Sequence, residues 1–217
     1  MCPYYPESKV EISGFTAKHY DILMDIITLR RYSWLMQKSV SLMSIKPNDR
    51  IIDLGAGTGA NALLMMKHLS SEGGLLALEI SDEMISQFRK KCAAFSNAKI
   101  INQRMDEPLP YQDEFDKAFI SFVLHGFPQD VRTIVIRNAF KALKEQGEFF
   151  ILDYGEFSLE KMPFYLRSFF NIVECPYAFD FIERDWRQIL TKEGFSMIEQ
   201  YFFFSGFIRM LRGIKVA

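Results

Sequence analysis

Ten residues constrain this chain more than any others: Arg50-Ile51-Ile52-Asp53-Leu54-Gly55-Ala56-Gly57-Thr58-Gly59. Arg50 to Leu54 is a short apolar run with an acid next to its end, and it predicts a buried strand. Gly55, Gly57 and Gly59 then make a tight turn, and Ala60 to Leu69 predicts a helix. Strand, glycine turn and helix form the first half of a nucleotide-binding βαβ unit. Glycines in that turn let a ligand lie directly on the backbone at the helix N-terminus.

Two ligand classes fit such a turn. Gly55-x-Gly57-x-x-Ala60 matches the dinucleotide fingerprint, and Glu79 follows at about the 20-residue spacing expected of a ribose-binding acid. A nicotinamide-dependent oxidoreductase is therefore one reading. Asp53 argues for another, because a carboxylate just before the turn would face a pyrophosphate of its own sign. It suits a ligand with a positive end. S-adenosylmethionine has an α-ammonium, a sulfonium and a ribose, and no phosphate. A turn with no ligand is the third reading, against which stand three alternating glycines and two correctly placed acids.

The chain has 217 residues, enough for one domain with a small cap, and 49% of them are apolar. Most of its 21 Phe lie after Gly147, which gives the C-terminal half unusual apolar bulk. The net charge is −1, with basic residues scattered, so no footprint for nucleic acid is expected. No apolar run approaches the roughly 20 residues of a membrane span, and the N-terminus lacks the apolar stretch of a signal peptide. Cys2, Cys92 and Cys175 are few and far apart. They suggest neither a disulfide framework nor a metal site, and a cytoplasmic location is expected.

Taken in order, Met1 to Gly14 reads as an irregular arm. Thr16 to Ile45 carries a helical pattern, divided into two helices near Thr28 to Tyr32. After the glycine helix, strands are predicted at Leu75 to Ile80, Lys99 to Asn102, Phe115 to Phe122 and Glu148 to Asp153. Helices are predicted from Ser81 to about Phe95, with Ser81 or Asp82 as N-cap, and from Val131 to Leu143, stopped by Gly147. Phe157 to Phe181 breaks the rhythm with irregular aromatic content and reads as an inserted lid. Glu183 to Glu193 predicts a helix stopped by Gly194, and Phe195 to Phe204 and Phe207 to Val216 predict a final hairpin around Ser205-Gly206. Strand-helix alternation through five strands implies a parallel sheet covered on both faces.

Ligands of open sheets bind at the carboxyl ends of the strands, which selects the candidate residues. Asp53, Gly55, Ala56, Gly57 and Gly59 follow strand one. Glu79 ends strand two, placed to accept both ribose hydroxyls, with Ile80 and Met84 placed to pack on adenine. After strand three, Asp106 is placed for the adenine amino group and the Met105 backbone for a ring nitrogen. Ser121 ends strand four, and His125 beyond it is the candidate general base, its ordinary pKa lying near neutrality. Tyr20 and Arg31, on the N-terminal helices, are candidates for the methionine end and its carboxylate. Asp153 and Tyr154 end strand five. Each also has a plain structural reading, as a packed, capping or solvated residue.

From Asp53 to about Asp153 the chain resembles class I S-adenosylmethionine-dependent methyltransferases, whose first motif is similar to Asp53-x-Gly55-x-Gly57-x-Gly59. Within that class it looks like the group containing the ubiquinone and menaquinone biosynthesis C-methyltransferases. Thr16-Ala17-Lys18-His19-Tyr20-Asp21 resembles that group's Ala-x-x-Tyr-Asp signature, and Leu29-Arg30-Arg31-Tyr32-Ser33-Trp34 the helix after it. Leu109 to Asp116 is similar to the stretch before strand four, and Lys141 to Gly147 to a Leu-Lys-Pro-Gly-Gly turn. The Gly-Ile-Arg-Asn segment of the quinone enzymes is replaced by Val123-Leu124-His125-Gly126-Phe127. The resemblance implies one α/β domain with a Rossmann-like, seven-stranded, mostly parallel sheet. It would end in an antiparallel hairpin, carry helices on both faces and be capped by residues 1–46. It also implies methyl transfer to a small hydrophobic or aromatic acceptor, with S-adenosylhomocysteine as product. The aromatic lid, residues 157–181, would favour such an acceptor and offers a contact to a membrane surface. A binding protein without catalysis remains the third function class.

Overall fold

The computed structural model describes Tyr5, Ser8 and residues 31–161, 164, 167, 170, 171 and 174–216. Seven strands form one sheet in the order β3-β2-β1-β4-β5-β7-β6. They are β1 (Arg50–Leu54), β2 (Gly74–Glu79), β3 (Ala98–Asn102), β4 (Phe115–Ser121), β5 (Leu143–Tyr154), β6 (Phe195–Phe203) and β7 (Ile208–Lys215). The first five run parallel, and β7 lies antiparallel between β5 and β6. The chain moves outward from β1 to β3 and returns to β4 on the other side of β1. The switch point therefore falls between the carboxyl ends of β1 and β4, where open sheets bind their ligands.

Alternation along the strands splits the core into two layers. Ile52, Leu54, Ala118, Ile120, Phe149 and Ile151 face α4 (Gln129–Ala142), α5 (Pro176–Ile182) and α6 (Trp186–Lys192). Ile51, Ala77, Phe119, Phe150 and Leu152 face α1 (Arg31–Leu42), α2 (Ala60–Met66) and α3 (Asp82–Lys91). The central strands are buried on both faces, which is why they read as unbroken apolar runs. Ser81 caps α3, its hydroxyl accepting from the Met84 N–H at 3.4 Å, and Gly194 ends α6 at φ 97°.

Three boundaries differ from the sequence reading. Gly147 does not end α4. That helix stops at Ala142, because Leu143 turns extended (ψ 142°) and pairs with Phe115 as the first residue of β5. The irregularity is taken up later, at Gln146 (φ 63°) and at Gly147, where a Cβ would lie 2.8 Å from the Lys144 carbonyl. The stretch from Phe157 to Phe181 is not irregular throughout: it ends in α5, with Pro176 at the helix start. The helix expected from Glu183 to Glu193 begins at Trp186, because Asp185 caps it by accepting from the Gln188 N–H at 2.9 Å. The final hairpin is present, turning through Phe204, Ser205 and Gly206, all at positive φ. The first helix of the expected cap and the residue Tyr20 lie outside the described residues. Among the described residues no helix is long and apolar enough to cross a membrane.

Candidate active site

β1 delivers Asp53 and the glycine turn to the switch point. Gly55, Gly57 and Gly59 have φ of 76°, 55° and 83°, the left-handed region that side chains disfavour. Their surroundings divide them. A Cβ on Gly55 would lie 2.9 Å from Met105 Cε and 3.0 Å from Val123 Cγ2, and one on Gly59 would lie 2.7 Å from Phe88 Cδ2. At Gly57 the nearest atom would be Met84 Sδ, at 3.7 Å. Gly55 and Gly59 are thus required by packing, whereas Gly57 leaves its backbone open. The Gly55 and Ala56 N–H groups both donate to the Leu78 carbonyl, at 3.0 and 3.1 Å, and anchor the turn to β2.

Glu79 clamps the same turn. Its Oε2 accepts from the Gly57 N–H at 2.9 Å, and its Oε1 accepts from the Ile80 and Ser81 N–H groups at 2.8 and 3.0 Å. The acid expected at a ribose is thus also the bracket that joins the glycine turn to the start of α3. Met84 is buried and Ile80 half-buried beside it.

Asp53 is 1% exposed, and its Oδ2 has no hydrogen-bond partner among the described residues. Burial, and then the neighbouring Glu79, push its pKa up to about 8. An unsatisfied buried carboxyl of this kind costs about 1–3 kcal/mol. A ligand ammonium would supply both the missing donor and a countercharge, while a pyrophosphate would supply neither. The donor set therefore fits S-adenosylmethionine and opposes a dinucleotide. Asn61, in the first turn of α2, donates to Ser121 Oγ at 2.9 Å, and its own Oδ1 has no partner among the described residues.

The residues after β3 have protein partners of their own. The Asp106 carboxylate, expected at the adenine amino group, accepts from Tyr5 Oη at 2.6 Å and from Arg104 Nε and Nη2 at 3.0 and 3.1 Å. Desolvation, together with that carboxylate, raises the Tyr5 pKa far above its usual value. Met105 packs its side chain against Gly55 and accepts from Asn138 Nδ2 through its carbonyl, at 2.8 Å. Arg31 is exposed at the beginning of α1.

His125 is buried in the short turn Leu124–Gly126 that follows β4. Its Nδ1 lies 2.7 Å from Asp153 Oδ1, its backbone N–H donates to Asp153 Oδ2 at 3.2 Å, and its Nε2 lies 3.5 Å from Glu174 Oε2. Burial disfavours the imidazolium, but Asp153 and Glu174 outweigh it and raise the His125 pKa. Each ring nitrogen of this candidate general base thus faces a carboxylate. Tyr154 Oη donates to Glu174 Oε1 at 2.6 Å. The Tyr154 ring lies 5.0 Å from His125, 5.2 Å from Phe170 and 6.4 Å from Phe122. Phe122 holds φ 52°, a conformation costing a bulky residue about 1–3 kcal/mol, and its ring sits between those of Tyr32 and Tyr154.

Beneath this layer lies Arg132, fully buried on α4 and missed by the sequence reading. Its guanidinium donates to the carbonyls of Leu124, His125 and Tyr177 and to Gln129 and Asp180. It ties the His125 turn to α5. The one available signal was its position, in step with Ile136 and Ala139 on the apolar face of α4.

Comparison with known proteins matches residues 7–188 to the model of the ubiE/COQ5 methyltransferase family. A ubiquinone/menaquinone biosynthesis C-methyltransferase of Xanthomonas oryzae pv. oryzae is 28% identical over 156 residues, 69% of this chain and 60% of the relative. The chain thus spans about three fifths of the length of that relative. A demethylmenaquinone methyltransferase of Listeria welshimeri is 24% identical over 87% of this chain and 82% of its own length. Among solved structures, a SAM-dependent methyltransferase from Aquifex aeolicus superposes with a TM-score of 0.63 at 16% identity, covering 83% of this chain and 89% of its own, a likeness of fold.

Proposed function

Since the chain belongs to the ubiE/COQ5 methyltransferase family, we propose that it transfers a methyl group from S-adenosylmethionine to a small aromatic acceptor of phenol or quinol type, releasing S-adenosylhomocysteine. The observation that carries this reading is Asp53: a buried carboxyl below the glycine turn, one of whose oxygens has no partner among the described residues. When bound, the cofactor supplies an electrophilic methyl group on a sulfonium. Asp53 would pair with its ammonium, and the open backbone at Gly57, clamped by Glu79, would carry its ribose end. Ile80 and Met84 would flank adenine. The aromatic wall of Phe122, Tyr154 and Phe170 supports an aromatic acceptor, as does the similarity to a ubiquinone/menaquinone biosynthesis C-methyltransferase and a demethylmenaquinone methyltransferase. Catalysis would then rest mainly on alignment and exclusion of water. The Arg-Asn pair expected of quinone enzymes is absent from Val123-Leu124-His125-Gly126-Phe127, which favours a broader phenol or quinol class over one particular quinone.

The test is transfer of isotopically labelled methyl from S-adenosylmethionine to a panel of hydroquinones and phenols, with products identified by mass. Labelled product that Asp53→Ala no longer forms is expected. A folded protein that binds S-adenosylhomocysteine yet methylates nothing on the panel would sink the acceptor class.

A further inference from the structure

His125, Asp153, Tyr154 and Glu174 form one cluster drawn from three segments, the turn after β4, the end of β5 and the residue two before α5: hydrogen bonds join His125 to Asp153 and Tyr154 to Glu174, and His125 Nε2 lies 3.5 Å from Glu174 Oε2. Methylation of a phenol or quinol requires a place for the hydroxyl proton, because an unactivated phenol has a pKa of about 10 and stays neutral near pH 7. His125 is poorly placed to receive it. Its Nδ1 faces Asp153 at 2.7 Å and its Nε2 faces Glu174. Tyr154, by contrast, stands in the aromatic wall, half-buried beside Phe122 and Phe170, with its hydroxyl aimed at a carboxylate.

We propose that Glu174 is the proton acceptor of the reaction and that Tyr154 Oη conducts the proton to it. This rests on the phenol or quinol reading above. The acceptor O–H bond breaks as its proton passes to Tyr154 Oη, while the proton of Tyr154 passes to Glu174 Oε1 across a 2.6 Å hydrogen bond. The electron pair stays on the acceptor oxygen. The phenolate so formed makes the new bond to the methyl carbon, either through its oxygen or through a ring carbon that then releases its own proton to solvent, and the pair of the breaking methyl–sulfur bond goes to sulfur. Glu174, whose side chain is 12% exposed, then returns its proton to solvent. His125 and Asp153 are positioning residues. Asp153 fixes the imidazole through Nδ1 and the His125 backbone through its N–H, and the ring in turn presents Nε2 to Glu174 Oε2 at 3.5 Å. Arg132, the other charged group at this turn, binds the Leu124 and His125 carbonyls from α4.

The chemistry separates this role from a merely structural one, because a phenol that is already ionised needs no base. Tyr154→Phe, which keeps the ring and loses only the hydroxyl, and Glu174→Gln are assayed in the full chain. One substrate is an unactivated phenol or hydroquinone accepted by the wild type; the other is a nitro-substituted phenol, ionised at the assay pH. Both variants are expected to lose about 100-fold or more with the first substrate, the usual contribution of general-base catalysis. With the second they should stay within about threefold of wild type, at unchanged S-adenosylhomocysteine affinity. Wild-type rates on the unactivated phenol, or equal losses on both substrates, would overturn the assignment. A wild type that binds S-adenosylhomocysteine but methylates neither phenol would overturn the acceptor reading, and this relay with it. That outcome is distinct from a loss confined to the variants.

Discussion

Asp53 shows most plainly how one buried group links sequence, stability and chemistry. Its carboxyl binds a proton more tightly in the folded chain, with a pKa of about 8, than in the unfolded one, near the ordinary value of about 4. Between those values the folded state carries more protons, so this group's contribution to stability falls as pH rises, by up to about 1.4 kcal/mol per pH unit. Denaturant midpoints of wild type and Asp53→Asn, measured without ligand from pH 5 to 8, should therefore move in favour of the variant as pH rises. A constant gap would contradict the buried, proton-binding state. His125 acts with the same sign. Its raised pKa makes the imidazolium stabilising below the ordinary value, and that stabilisation fades as pH climbs through the raised one. Its loss should thus add to the alkaline decline, and His125→Asn should flatten that part of the profile.

Asp53 and the glycines were legible in the sequence because their chemistry is local, a few residues placed by one turn. The second engagement of Glu79, the Tyr5–Asp106 pair and the Asn61–Ser121 bond were not, since each joins positions at least 22 residues apart through the fold. The two carboxylates around His125 escaped for the same reason. A single histidine after a strand looks like an open base until β5 and Glu174 are placed around it.

At the level of elements, the glycine turn carries two different requirements within a few residues. Alanine at Gly59 meets Phe88 at 2.7 Å as well as a left-handed backbone, and should destabilise the protein by about 2–4 kcal/mol. Alanine at Gly57 meets only the backbone strain and should cost about 1 kcal/mol. Its larger effect should be on the affinity for S-adenosylhomocysteine, weakened tenfold or more where a ligand would lie. Thermal unfolding and calorimetric affinity of the two variants separate these effects. Reversal of the order would place the open side of the turn elsewhere. Arg132 makes a comparable case in α4. Arg132→Met removes the guanidinium's hydrogen bonds to the Leu124, His125 and Tyr177 carbonyls and its ion pair with Asp180, and should cost about 3–5 kcal/mol in a denaturant titration. Central strands and the last hairpin could be read from apolar runs and turn residues. The start of β5 could not, because Leu143 is recruited by pairing with Phe115 and carries no breaker to announce it.

Across the whole molecule, the strand order brings together what the chain keeps apart. The turns after β1, β2, β3 and β4 and the end of β5 meet at one end of the sheet, so Asp53, Glu79, Met105, His125 and Tyr154 gather there although they span about a hundred residues. Phe-rich sequence in the C-terminal half supplies both the core beneath α5 and α6 and the wall around Tyr154. The parallel order followed from the alternation of helices and strands. The layer that each helix occupies did not, and it became visible only through the side chains that α1–α3 and α4–α6 bury. The central claim, a cofactor with a positive end on this turn, is tested most directly by calorimetric titration of the protein with S-adenosylhomocysteine at pH 7. The titration is run in two buffers of different ionisation heat, with NADH as comparator. Saturable binding of S-adenosylhomocysteine is expected, with no binding of NADH and release of about one proton as the ligand ammonium ionises Asp53, a release that Asp53→Asn abolishes. A folded protein that ignores S-adenosylhomocysteine, or that binds NADH in its place, would contradict the central claim.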